Sequence, residues 1–186
     1  TGPDNDIESL TLADGQAAYK LNAATLTLTG TEELVWFGNP TPTTDPFTQT
    51  GVGLIATNGS TVTVNGPVLT LQGGDSVAHA LTVSNTPAAA LIQLTSSTLN
   101  QIAGTTLVVV SGVVTTNGGL ITATDSTITA AGAILSLGGN LTLGGSLLAQ
   151  RRMNSRRMVL MSWMNEPVSP ETWPGRGLPA CGTSTT

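Results

Sequence analysis

Between residues 50 and 150, apolar side chains recur at every second position in runs of only about four residues. The segments Thr61–Val64, Val68–Leu71, Leu81–Val83, Ile92–Leu94, Ile121–Thr124, Thr127–Ala130, Leu135–Leu137 and Leu141–Leu143 alternate Val, Leu, Ile or Ala with mostly Thr or Ser. A period of two puts the apolar set on one face of a strand and the hydroxyls on the other, so these runs predict strands with one buried face. Each run is cut by a turn sequence such as Asn58-Gly59, Asn65-Gly66, Gly73-Gly74, Asn117-Gly118 or Gly138-Gly139. Such residues reach the positive φ that tight turns require.

Strand length and spacing then narrow the architecture. A sandwich uses strands of about five or six residues with turns every 8 to 12 or so. That spacing describes Val62 to Leu94 tolerably, but from Ile121 onward the runs are too short and too close together. Short strands bending repeatedly at Gly or Asn suit the rungs of a solenoid, whose inward side chains stack into apolar ladders. The expectation is an all-β chain forming an irregular β-solenoid of the parallel β-helix type, with a β-sandwich or pilin-like fold as the alternative. No single repeat length fits, so the coils must be unequal. A lipid-spanning barrel needs strands of ~10 residues and aromatic girdles, and residues 50–150 contain no Phe, Trp or Tyr.

Composition divides the chain into three parts. Residues 1–49 are an acidic segment with a strand-like stretch from Ala23 to Gly30 and a Pro-rich connector, Asn39 to Pro46. Residues 50–150 are the Thr/Gly-rich β core. Residues 151–186 hold Arg151, Arg152, Arg156, Arg157 and every methionine, and are expected to form a short cap helix followed by an irregular tail. Charged residues make up 9% of the chain against the ~25% usual for globular proteins. From Ser76 to Gln150 the single formal charge is Asp125, so the surface offers little electrostatic resistance to association. An acidic body argues against nucleic acid, whose phosphates call for basic patches. The lone Cys181 makes no internal disulfide, and no run of ~18 apolar residues could cross a membrane as a helix. A chain of this kind is expected outside the cell, secreted or at the cell surface.

The stretch from Gly132 to Leu148, together with Leu120 to Thr129 before it, resembles the repeats of bacterial filamentous-haemagglutinin and autotransporter passenger proteins. The resemblance implies a parallel β-helix displayed on a bacterial surface as an adhesin or structural stalk. The chain lacks that family's secretion-domain motifs, and its Arg/Met-rich end departs from the pattern.

Candidate chemistry is sparse. His79, the single histidine, follows Asp75 and Ser76, but no nucleophile-elbow sequence accompanies it, and a turn or surface role is expected. The acids Asp4, Asp6, Glu8 and the pair Glu32/Glu33 read as solvated carboxylates; a weak Ca²⁺ site at Asp4–Glu8 is the alternative. No catalytic residue, cofactor or metal is therefore expected, and no enzyme activity. Threonine pairs (Thr25/Thr27/Thr29, Thr61/Thr63, Thr122/Thr124, Thr127/Thr129) raise ice binding, although their uneven intervals do not place them on one face. The candidate subunit or ligand contacts are Leu26 and Leu28, in the strand that would join copies, and Trp36 and Phe37, as a sugar-stacking platform. Two functions remain: a self-assembling extracellular fibre subunit, whose partner is a copy of itself, and a monomeric adhesin or stalk binding a glycan or host surface.

Overall fold

The computed structural model describes residues 12–13, 16–39, 43–104 and 106–151. They wind through four coils and into a fifth. The first coil contains β1 (Ala17–Asn22), β2 (Thr25–Leu28), β3 (Val35–Gly38) and β4 (Phe47–Gln49); the second contains β5 (Val52–Thr57), β6 (Thr61–Val64), β7 (Leu69–Gln72) and β8 (Leu81–Val83). The third is β9 (Ile92–Thr95), β10 (Thr98–Gln101) and β11 (Thr106–Thr116), the fourth β12 (Ile121–Thr124), β13 (Thr127–Thr129) and β14 (Ala133–Leu143), and β15 (Leu148–Arg151) opens the next turn. A short 3-10 turn, Val77–His79, interrupts the second coil.

Like strands of successive coils stack into three sheets, in the orders β1-β5-β9-β12-β15, β2-β6-β10-β13 and β3-β7-β11-β8-β4, with β14 against β11. Every ladder between these strands is parallel. The chain is an all-β parallel solenoid. A sandwich, built from antiparallel sheets, is thereby set aside.

Alternation dictates what lies inside. Leu26, Val62, Leu99 and Ile128 stand in register in the second sheet, and Phe37, Leu71, Val110 and Leu137 do so in the third. In the first sheet Leu21, Ala56, Leu94 and Ala123 alternate large and small, so neighbouring rungs interdigitate. Each fully buried Leu, Ile or Val contributes roughly 1.5–3 kcal/mol by leaving water, and Leu54, Leu69, Leu71, Ile92, Leu99 and Leu107 are all completely enclosed.

The corners are built from two repeated devices. Between the first and second sheets the chain passes through a left-handed residue, Ala23, Ser96 or Asp125, each at φ 49°, while the second coil uses Asn58-Gly59. A small residue follows: Ala24, Ser60, Ser97 or Ser126. The Ser60 hydroxyl accepts from the Ala24 amide (3.2 Å), and Ser126 accepts from Ser97 (3.1 Å), tying coil to coil. Between the third and first sheets, Asn85 donates to the Gly51 carbonyl (2.9 Å) and accepts from its amide (2.6 Å). Asn117 repeats the pattern one coil on, accepting from the Asn85 amide and donating to its carbonyl. These amides satisfy buried backbone groups that a bend would otherwise leave without partners.

Two features differ from the sequence expectation. β11 and β14 each run eleven residues, the latter straight through Gly138–Asn140, where the local sequence predicts a turn. The compositional change at residue 49 falls within the solenoid, because β1 to β4 pair directly with the second coil. The expected cap and tail beyond Arg151 and the Asp4–Glu8 acids lie outside the described residues.

Candidate functional site

The strand register settles where the threonines stand. Thr25, Thr61, Thr98 and Thr127 form one column on the outer face of the second sheet, and Thr27, Thr63, Asn100 and Thr129 form the next. All eight side chains are exposed or half-exposed. Uneven intervals in the sequence therefore become even columns in space, because coils of 36, 37 and 29 residues (25 to 61, 61 to 98, 98 to 127) differ only in their connections. Thr98 and Asn100 escaped sequence reading, since Thr98–Gln101 carries no Thr-x-Thr pair. Thr122 and Thr124 belong to the first sheet instead, where Lys20 and Arg151 share the outer face. A third set, Thr48, Thr82, Thr115 and Thr142, makes a single column on the third sheet.

The candidate contacts separate. Phe37 is 3% exposed and belongs to the core, because it sits one residue out of phase with Trp36. Leu26 and Leu28 face inward and pack against the core, so the strand expected to join copies is paired to β6 of its own chain. Trp36 points outward and is 45% exposed. Its ring lies along the strand over Gly38, where a Cβ would fall within 1.8 Å of the ring, and its Nε1–H donates to Gln72 Oε1 of the next coil (3.2 Å). A side chain at position 38 would therefore displace the indole from the place it occupies.

His79 sits on a ledge formed by the connection between β7 and β8 together with Asn39 and residues 43–46 before β4. Asn39 of the first coil holds this ledge together by donating to the carbonyls of Asp45 (2.7 Å) and His79 (2.9 Å). His79 Nδ1 lies 2.6 Å from Asp75 Oδ1 and 3.1 Å from Ser76 Oγ. A triad needs the acid and the nucleophile on opposite ring nitrogens, whereas both partners here meet Nδ1. The hydrogen bond from His79 holds the Asp75 carboxyl below its ordinary range. The cluster is a staple within the ledge.

Each end of the described coil stack brings a core column to solvent: at the first coil Tyr19, in register with Leu54, Ile92 and Ile121, is 38% exposed. In the first coil Leu21, Leu34, Val35 and Phe37 are already buried. In the fourth, Ile134, Leu135, Leu141 and Leu143 are only partly covered, and Leu137, which continues the column of Leu71 and Val110, is 54% exposed. Leu137 and Leu141 also line a groove of about 580 Å³ beside Val77 of the ledge. β14 pairs with β11 along one edge, and among the described residues no strand pairs with its other edge.

Fold and surface together define a parallel β-solenoid whose second sheet carries an uncharged, threonine-lined outer face and in which, among the described residues, one edge of β14 has no paired strand. No family model, no curated protein and no solved structure matches the chain. Among the described residues no helix is long and apolar enough to cross a membrane, and no group of three or more His, Cys, Asp or Glu side chains is placed to hold a metal ion.

Proposed function

We propose that this chain is a structural subunit of an extracellular or cell-surface fibre, joined to copies of itself by stacking coil on coil. The observation that carries the reading is the edge of β14 that, among the described residues, pairs with no strand, together with the column buried at Leu71 and Val110 that reaches solvent at Leu137. Because all strands run parallel, the first and last coils present backbone edges of complementary polarity. Head-to-tail contact between such ends does not close on itself and so generates a filament. The resemblance of Gly132–Leu148 to haemagglutinin-type repeats points the same way, and the nearly charge-free stretch from Ser76 to Gln150 removes repulsion between copies.

The amides of Thr61, Thr98 and Thr127 donate back toward the preceding coil. By the same alternation, the Thr27 amide points off the first coil toward an arriving subunit. Thr27→Pro removes that donor without touching an internal ladder. In sedimentation velocity across a dilution series, the wild-type chain is expected to form large species that Thr27→Pro lacks. Polymers unaffected by Thr27→Pro, or association that stops at a dimer, would contradict head-to-tail stacking.

One observation favours a second reading, an adhesin or stalk that binds a glycan. The exposed indole of Trp36, held by its hydrogen bond to Gln72, is the kind of platform on which sugar rings stack. A glycan array on which a wild-type hit vanishes with Trp36→Ala would support it, and an array without hits would sink it.

A further inference from the structure

We propose that the outer face of the second sheet binds ice. Seven threonines and one asparagine stand there as a grid two positions wide and four coils deep: Thr25, Thr61, Thr98 and Thr127 beside Thr27, Thr63, Asn100 and Thr129. The backbone sets the spacing of this grid. Neighbouring coils lie ~4.8 Å apart, and alternate residues along a strand are separated by about 6.6–6.8 Å. Both repeats are comparable to oxygen–oxygen repeats on the surfaces of an ice crystal.

The side chains suit the task. Threonine is β-branched, so few χ1 rotamers are open to it, which limits the directions its hydroxyl and methyl can take. The hydroxyl can take a place in a water lattice while the methyl orders the water around it. Behind the face, Leu26, Val62, Leu99 and Ile128 fill the interior rung by rung and support the sheet. No grid position carries a formal charge, and a charge would hold water in a hydration shell of its own geometry.

The same features argue against other occupants. A protein partner is usually anchored by buried aromatic or Arg side chains, and the grid has neither. A glycan would be drawn to an aromatic platform, and the exposed aromatics, Trp36 and Tyr19, lie on the third and first sheets. The other outer faces do not repeat the grid: the first sheet carries Lys20 and Arg151, and the third has one threonine column beside the ledge. This inference does not rest on fibre formation, which needs the coil ends and not this wall.

The test is ice shaping and freezing hysteresis of the full chain, measured by nanolitre osmometry. Thr63→Tyr puts a bulky ring in the centre of the grid, and Thr82→Tyr makes the same change in the single column of the third sheet. The wild type and Thr82→Tyr are expected to facet ice crystals and depress their growth equally, whereas Thr63→Tyr loses most of the hysteresis with an unchanged circular-dichroism spectrum. If Thr63→Tyr fails to fold, Thr98→Lys places a charge on the same grid and should lose the activity likewise. Round, unfaceted ice with the wild-type chain would overturn the proposal, as would equal losses from Thr63→Tyr and Thr82→Tyr, or retention of hysteresis by folded grid variants. Loss of self-association or glycan binding from Thr63→Tyr, without any effect on ice, would assign the face to that other occupant.

Discussion

The first two coils and the last two solve the third wall differently. In the first pair the wall is split: β3 and β4 are separated by one connection, β7 and β8 by another, and Asn39 ties Asp45 of the first to His79 of the second in a ledge. In the last pair the wall is continuous, because β11 and β14 run through the same angular position as single strands. Ser111 stands opposite Gln72 and Val114 opposite Leu81, so residues 112–113 do what residues 73–80 do one coil earlier. A solenoid thus accepts insertions on its outside while the inward positions keep register, which is why its coils differ in length. Along the column Phe37, Leu71, Val110 and Leu137 closure also differs, since the first three are buried and Leu137 is 54% exposed.

The largest expected contrast comes from one core column. Leu71→Ala, in the enclosed half, should cost about 3–5 kcal/mol through lost transfer energy and the cavity left behind. Leu137→Ala, two rungs further in the same column, should cost under about 1 kcal/mol in the isolated subunit, because little apolar surface is withdrawn from water there. Urea unfolding of both variants would measure the contrast, and equal losses would mean that the last coil is covered.

A smaller effect is expected at the junction of the two halves. Gly112 has φ 66°, and a Cβ there would meet the carbonyl oxygens of Gly73 and Gly74 at 2.3 and 2.5 Å. Here β11 passes beneath the departing ledge, with the Val113 amide donating to Gly74 and the Gly73 amide to Ser111. Gly112→Ala should destabilise by about 2–4 kcal/mol, the sum of the left-handed penalty and the forced shift of the ledge. A melting temperature unchanged by that variant would show that the ledge moves aside freely.

Ala23 holds the left-handed corner of the first coil without a side chain suited to it. Ala23→Gly should therefore stabilise by up to about 1 kcal/mol, the strain relieved outweighing the added chain entropy, and a fall in melting temperature would contradict this. The smallest effect concerns acid. The carboxyl of Asp75 is depressed by its hydrogen bond from His79, so the contribution of that contact is present above the ordinary aspartate pKa and is lost as pH falls through the depressed value. The group is fully exposed and screened by solvent, so acidification should loosen only the ledge. Amide exchange at residues 74–80 should rise in this window in the wild type and show no such step in Asp75→Asn.

Much of this architecture was legible as alternation. Val62/Val64, Leu69/Leu71, Leu81/Val83 and Ile121/Ala123 all face inward as their period of two demands. β11 was hidden because Leu107, Val108, Val109 and Val110 are a continuous apolar run that has no visible period. The turn expected at Gly138-Gly139 is overridden by ten paired positions along β11, where tertiary pairing outweighs local propensity. The threonine grid was half legible: the pairs could be read, but their alignment depends on coil lengths set by outside connections. The exposure of Trp36 against the burial of Phe37 follows from strand phase, which a four-residue strand ending in Gly38 does not declare.

Electron microscopy of the full chain across a dilution series tests the stacking claim most directly. Coil-on-coil addition predicts unbranched filaments that lengthen with concentration and whose diffraction shows a repeat of ~4.8 Å along the filament axis, the spacing of paired strands. Discrete single particles at every concentration, or filaments with the strand repeat across their axis, would contradict it.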